Sequence, residues 1–139
     1  MSKALFISVK PEFVEKIFNG TKTIELRKSI PGVKKEDMII IYSTSPVMAI
    51  IGICKVKEIL SMTPTNLWKE YSEKLGIDRQ RYFDYYKGKN VAVGIVLKER
   101  QKFPDPIALS NFRRKFASFQ PPQTFRYIDQ KYFETSFLK

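Results

Sequence analysis

Histidine is absent from this chain of 139 residues, and cysteine occurs once, at Cys54. The first absence removes imidazole as a base for a nucleophile and as a ligand for zinc. A lone cysteine excludes an internal disulfide and any cluster of thiolate ligands. It stands in "IIGICKV", where it reads as a small buried hydrophobe rather than a reactive thiol. No apolar run approaches the ~20 residues that span a bilayer. The start, "MSKALFISVKPEF", has neither the apolar length nor the cleavage pattern of a signal peptide. Together these absences predict a cytoplasmic chain that uses no metal and no cofactor and works away from membranes.

Acidic residues are also in short supply. Asp and Glu number 14 against 25 Lys and Arg, a formal charge of +11. A field of that sign concentrates polyanions, so nucleic acid is the first partner to consider. The plainer alternative is a surface charged for solubility. Apolar residues make up 43% and aromatics 14%, a globular profile, and the length suits one compact domain over 1–139.

Along the chain, "ALFISVK" (4–10) reads as a strand, and Pro11 opens a short amphipathic helix that ends at Asn19-Gly20. "KTIELRK" (22–28) is a second strand, with Ile24 and Leu26 on one side and Thr23, Glu25 and Arg27 on the other. "DMIIIYST" (37–44) is apolar enough for a strand buried on both faces. "MAIIGICKVKEIL" (48–60) is a long strand in which Gly52 marks a bulge or a close backbone approach. Two helices follow, one opened by Thr63-Pro64 and closed at Gly76, the other capped by Asp78. Residues 90–103 return to strand, two prolines predict a turn, Ser110 is placed to cap a short basic helix, and a terminal helix closes the chain. Strands gathered around inserted helices predict an α+β domain on a curled, barrel-like sheet rather than a doubly wound one.

The chemistry concentrates in 22–27. Lys22 stands at the strand's start, where its long side chain leans over the face of Thr23, Glu25 and Arg27. Such a set can read a polar heterocycle, the carboxylate accepting from an N–H edge and the cations meeting phosphate or carbonyl oxygens. A desolvated lysine beside a carboxylate also permits hydrolysis, with Lys22 as base or nucleophile and Glu25 moving the proton. The plain reading is a solvated strand whose Glu25–Arg27 pair is worth less than about 1 kcal/mol. Elsewhere, "NFRRKF" carries Arg113, Arg114 and Lys115 among phenylalanines, and Arg126 sits between Phe125 and Tyr127 behind Pro121-Pro122. Arginines interleaved with aromatics suit phosphate contact and base stacking, although most of these phenylalanines suit a core equally well. Ser43 and Thr44 at one strand end, and Lys10 at another, complete the set.

"GTKTIELR" (20–27) resembles the Gly-x-Lys-Thr-(Ile/Val)-Glu-x-Arg pattern of ASCH domains, members of the PUA-like superfamily. "SVKPEFVEKIFNG" resembles that family's first strand and helix, and "IIIYSTSPVMAIIGICKVKEI" its central strands. "PPQTFRYI" resembles a closing segment of one prokaryotic branch. The resemblance implies a small mixed or antiparallel β-barrel with helices around it and a cleft lined by Lys22, Thr23, Glu25 and Arg27, with Lys10, Ser43 and Thr44 on its border. It implies an RNA-related role: binding of RNA or of a modified nucleoside, with DNA as an open alternative and the cations at 113–115 and Arg126 widening the footprint. One branch resembles a metal-independent amidohydrolase of N4-acetylcytidine. Lys22 matches its catalytic lysine, but its threonine falls at Glu25, and its glutamate falls in the helical region of Glu70 and Glu73. Other members are linked to ribonuclease activity.

Overall fold

A computed structural model describes residues 2–138. Six strands form one mixed sheet: β1 (Lys3–Val9), β2 (Ile24–Arg27), β3 (Met38–Ser43), β4 (Ala49–Met62), β5 (Ala92–Ala108) and β6 (Phe125–Asp129). Five helices accompany them: α1 (Pro11–Phe18), α2 (Pro64–Tyr71), α3 (Arg79–Tyr85), α4 (Leu109–Phe112) and α5 (Gln130–Phe137). The spatial order is β2-β5-β4-β3-β1-β6, with β1 and β3 parallel and the other neighbours antiparallel.

The pleat sorts the core. Leu5, Ile7, Ile39 and Ile41 pack with Val14 and Ile17 of α1 and with Cys54, Val56 and Ile95. Their neighbours Phe6 and Ile40 point to the opposite face, where Phe112, Phe119 and Phe133 cover them. A third cluster joins Ile24 and Leu26 of β2 to Leu67, Leu75, Tyr82 and Tyr86 of the α2–α3 region. β3 is buried throughout, as its unbroken apolar run predicts.

The long antiparallel β4–β5 pair, joined through α2 and α3, explains the curl. Its register shifts in three places, and bulges bend and twist the strands that carry them. One shift lies between Ile50 and Gly52, so the close backbone approach expected at Gly52 is met. The two prolines do not end β5 as the sequence suggests. Lys102 pairs with Gly52 and Ile107 with Ile50, so Pro104 and Pro106 fall in the bulged stretch between, where a missing N–H breaks no ladder bond. Ser110 is likewise not a cap: α4 starts at Leu109, after Ala108, and Ser110 lies inside it. Arg113, Arg114 and Lys115 fall in the turn that follows.

β2 and β6 are the two ends of the sheet, and among the described residues no ladder joins them, so the barrel stays open along a seam. The curl nevertheless brings them close. Arg27 of β2 donates to the carbonyls of Ser8 in β1 and Thr124 just before β6.

A side chain at Gly52 would collide with the Gln101 carbonyl oxygen and stand 2.7 Å from the Phe18 ring. Gly52→Ala is therefore expected to cost about 1–3 kcal/mol in urea unfolding. An unchanged midpoint would contradict this packing of α1 against the bulged strand pair.

Candidate functional site at the sheet seam

Lys22 enters the seam from the residue pair that precedes β2. Its aliphatic stem lies over Gly76, whose φ of +63° closes the 3₁₀ turn Ser72–Lys74 and its flank. A Cβ at Gly76 would stand 2.7 Å from Lys22 Cβ, so this glycine supplies both a left-handed turn and the space for the lysine. Lys22 Nζ donates to the Leu75 carbonyl at 2.7 Å, lies 3.9 Å from Glu25 Oε1 and sits 5.2 Å from the Phe13 ring centre.

Glu25 Oε2 accepts from Arg27 Nη2 at 2.6 Å. Arg27 continues to Thr124 O at 3.1 Å and Ser8 O at 3.4 Å, which fixes it across the seam. Tyr86, the residue that caps the end of α3, donates to the Arg27 carbonyl at 2.9 Å and anchors the strand end from behind. The three charged residues are only 3%, 6% and 7% exposed for Lys22, Glu25 and Arg27. This rejects the solvated-strand reading of the motif. It also means both faces of β2 are buried, one hydrophobic and one ionic.

Burial holds the Lys22 ammonium below the ordinary lysine range. The Glu25 carboxylate opposes that shift, and the charges of Arg27 and Lys16 reinforce it. Two polar atoms in the same place, Arg27 Nε and Ser8 Oγ, are buried with no hydrogen-bond partner among the described residues. Glu25 Oε1 has only the long contact to Lys22, so one carboxylate oxygen keeps acceptor capacity.

These groups floor a cavity of about 860 Å³. Phe13, Tyr85 and Phe125 supply aromatic walls, the Pro121–Thr124 segment forms one side, and Tyr42 borders the cavity from the core, where its ring packs on Phe6. Lys10, Lys28 and Arg81 also line it; Arg81 is committed to Glu12 at 2.8 Å and to Asp78, and the Lys28 ammonium lies 4.5 Å over the Tyr85 ring centre. Among the described residues no three His, Cys, Asp or Glu side chains gather as a cation site.

Residues 7–104, which include the whole Lys22–Arg27 strand, match the ASCH domain family. This chain belongs to the ASCH domain family. A relative from Zymomonas mobilis, named an ASCH domain-containing ribonuclease, is 34% identical over 126 residues, covering 91% of this chain and 84% of that protein. The crystal structure of ASCH from Zymomonas mobilis superposes with a TM-score of 0.91 at 31% identity, over 97% of this chain and 93% of that one. A more distant relative is the large ribosomal subunit protein uL22 of Ureaplasma parvum, 25% identical over 128 residues. There the match covers 91% of this chain and 40% of that protein.

The fold brings five of the eleven predicted site residues together at one cavity. Lys10, Lys22, Glu25, Arg27 and Thr44 line the cavity. Thr23 does not: regular pairing of β2 begins at Ile24, and Thr23, tied through its backbone to Lys74 and Leu97, borders a separate cavity. Ser43 is 2% exposed and lies outside the lining. Arg113 donates to the Phe119 carbonyl at 2.8 Å, and Arg126 stacks 4.6 Å from the Phe119 ring centre, so these cations with Arg114 and Lys115 form a neighbouring basic surface outside the cavity. Glu70 and Glu73 are exposed and outside it too. Ser8, Tyr42 and Tyr85 were missed; only folding reveals that Tyr85, beside the core residue Tyr86, turns to the seam. Cys54 is buried as expected, and desolvation pushes its thiol up to about 12.

Arg27→Ala strips Glu25 of its main partner and should cost about 3–5 kcal/mol in chemical denaturation, the range for breaking a buried pair. A loss under about 1 kcal/mol would mean the pair behaves as an exposed one. Lys22 carries a pH signature. Its folded pKa lies below the unfolded one near 10.5, so within that window the unfolded chain binds more protons and stability contributed by this group rises with pH. The stability difference between wild type and Lys22→Met should therefore shift in favour of wild type as pH climbs through the window. A pH-independent difference would contradict the depressed pKa.

Proposed function

We propose that the protein binds single-stranded RNA through the seam cavity, with one nucleotide seated on the Lys22–Glu25–Arg27 floor. The observation that carries this reading is the pairing of buried, under-used polar groups with aromatic walls in one cavity. Glu25 Oε1 accepts from a base N–H edge; Lys22 and the Ser8 hydroxyl donate to base or sugar oxygens. Phe13, Tyr85 and Phe125 offer aromatic surface for stacking, the sequence-tolerant term in single-strand binding. Lys10 and Lys28 meet the flanking phosphates, and the surface of Arg113, Arg114, Lys115 and Arg126 extends the electrostatic footprint. A relative named as a ribonuclease, and another that is a ribosomal protein, support RNA as the polymer.

The depressed pKa of Lys22 and the ribonuclease relative favour a second reading, in which bound RNA is also cut. A neutral Lys22 amine takes the proton of the ribose 2′-hydroxyl, whose oxygen attacks the adjacent phosphorus to form a 2′,3′-cyclic phosphate, while the P–O5′ bond breaks and the departing 5′-oxygen takes a proton from water. Cleavage should rise with pH through the lowered Lys22 pKa and vanish in Lys22→Met. Undiminished turnover in that variant would remove this reading and leave binding intact.

Binding itself is tested with a labelled single-stranded RNA across a salt series. Affinity should fall steeply with salt, and Lys10→Ala and Lys28→Ala should each flatten the logarithmic slope by about 0.7. Affinity that stays flat from low to physiological salt would overturn the proposal. A DNA of the same sequence bound equally well would make the ribose hydroxyl irrelevant to recognition.

A further inference from the structure

The strand that floors the first cavity separates it from a second, and the second has no part in the proposal above. It encloses about 300 Å³ and is lined by Lys57, Lys74 and Arg100 with Thr23, Tyr71 and Glu58. Its lining thus carries three cations and one carboxylate.

Arg100 is the unusual member. Its Nε and Nη2 are buried and have no hydrogen-bond partner among the described residues. These two nitrogens form one edge of the guanidinium, the edge whose parallel N–H bonds match two oxygens of a phosphate or carboxylate. Leaving such donors unpaired is costly unless a ligand meets them. The acid next to it in sequence is already used: Glu99 pairs with Lys55 at 3.5 Å and with Lys98 at 3.7 Å. Glu58 makes no ion pair with Arg100 among the described residues, although both line the cavity.

The backbone arranges this. Ile53 pairs with Gln101 and Lys55 with Lys98, so Glu99 and Arg100 together oppose Cys54 in a bulge. Glu99 takes a φ of +50°, a conformation that non-glycine residues adopt at some cost. A bulge re-aims the side chain that follows it, and here that side chain is Arg100. The result is a desolvated guanidinium edge on a residue that lines the small cavity together with two lysines and Thr23.

From this we infer that the cavity beside Thr23 is an oxyanion site that takes a phosphate group, held side-on by Arg100 and flanked by Lys57, Lys74 and the Thr23 hydroxyl. The phosphate is either a backbone group of a bound polynucleotide or a free anion, and the chemistry of capture is the same for both. It also gives Thr23 a role the first cavity does not.

The test is a ¹H–¹⁵N titration that resolves arginine Nε–H signals, with the Arg100 signal identified by its loss in Arg100→Lys. Adding inorganic phosphate, against chloride at matched ionic strength, should move the Arg100 signal to saturation. Arg100→Lys, which keeps the charge but loses the fork, should weaken phosphate binding about tenfold by calorimetry. A shift with both phosphate and a short single-stranded RNA supports a backbone phosphate; a shift with phosphate alone supports a free anion. An Arg100 signal unmoved by either ligand would overturn the site. The Arg27 Nε–H signal, read in the same spectra, reports the seam cavity separately, so the two proposals fail independently.

Discussion

The contact between Glu25 and Arg27 is what the seam depends on. At 2.6 Å the two charges attract by about 6 kcal/mol for an effective dielectric of about 20. Withdrawing each from water costs several kcal/mol, so the pair contributes little net stability. What it does contribute is position. Arg27, held by Glu25, reaches Ser8 and Thr124 and links the two ends of a sheet whose backbone does not close. A hydrophobic pair would fill that place at less electrostatic cost but would not tie β2 to the carbonyls of Ser8 and Thr124.

Several consequences follow from leaving the barrel open. The seam creates a cavity whose floor is buried and polar and whose walls are aromatic, the composition that suits a small polar ligand group. Burial also sets the chemistry of Lys22: desolvation lowers its pKa while the neighbouring carboxylate limits the drop. The curl itself comes from bulges in the β4–β5 pair, and one of those bulges also redirects Arg100. Architecture and site therefore share one origin in the irregularities of a single long strand pair.

Much of this was legible from the residues. The apolar run of β3, the capping at Thr63 and Asp78, and the Pro11 start of α1 all encode local structure that the fold retains. The Lys22–Arg27 motif singled out the strand that floors the cavity, because Glu25 and Arg27 recur at the two-residue spacing of one face. What sequence could not supply was depth. Period-two alternation separates faces but does not say that both are buried, and it carried Thr23 to the wrong side because the regular strand starts one residue later. Pro104 and Pro106 misled for a related reason: a proline marks a missing donor, and only the pairing register shows that a bulge makes that donor unnecessary. Ser8 and Tyr85 gave no local signal, since their place at the seam depends on how distant strands meet.

The central claim is that a nucleotide occupies the seam. The most direct measurement is a crystal structure of the protein with a short single-stranded RNA. A base is expected between the aromatic walls, within hydrogen-bond distance of Glu25 Oε1 and Lys22 Nζ, with its flanking phosphates toward Lys10 and Lys28. RNA ordered only along the surface of Arg113, Arg114 and Arg126, with the seam free of nucleotide, would contradict it.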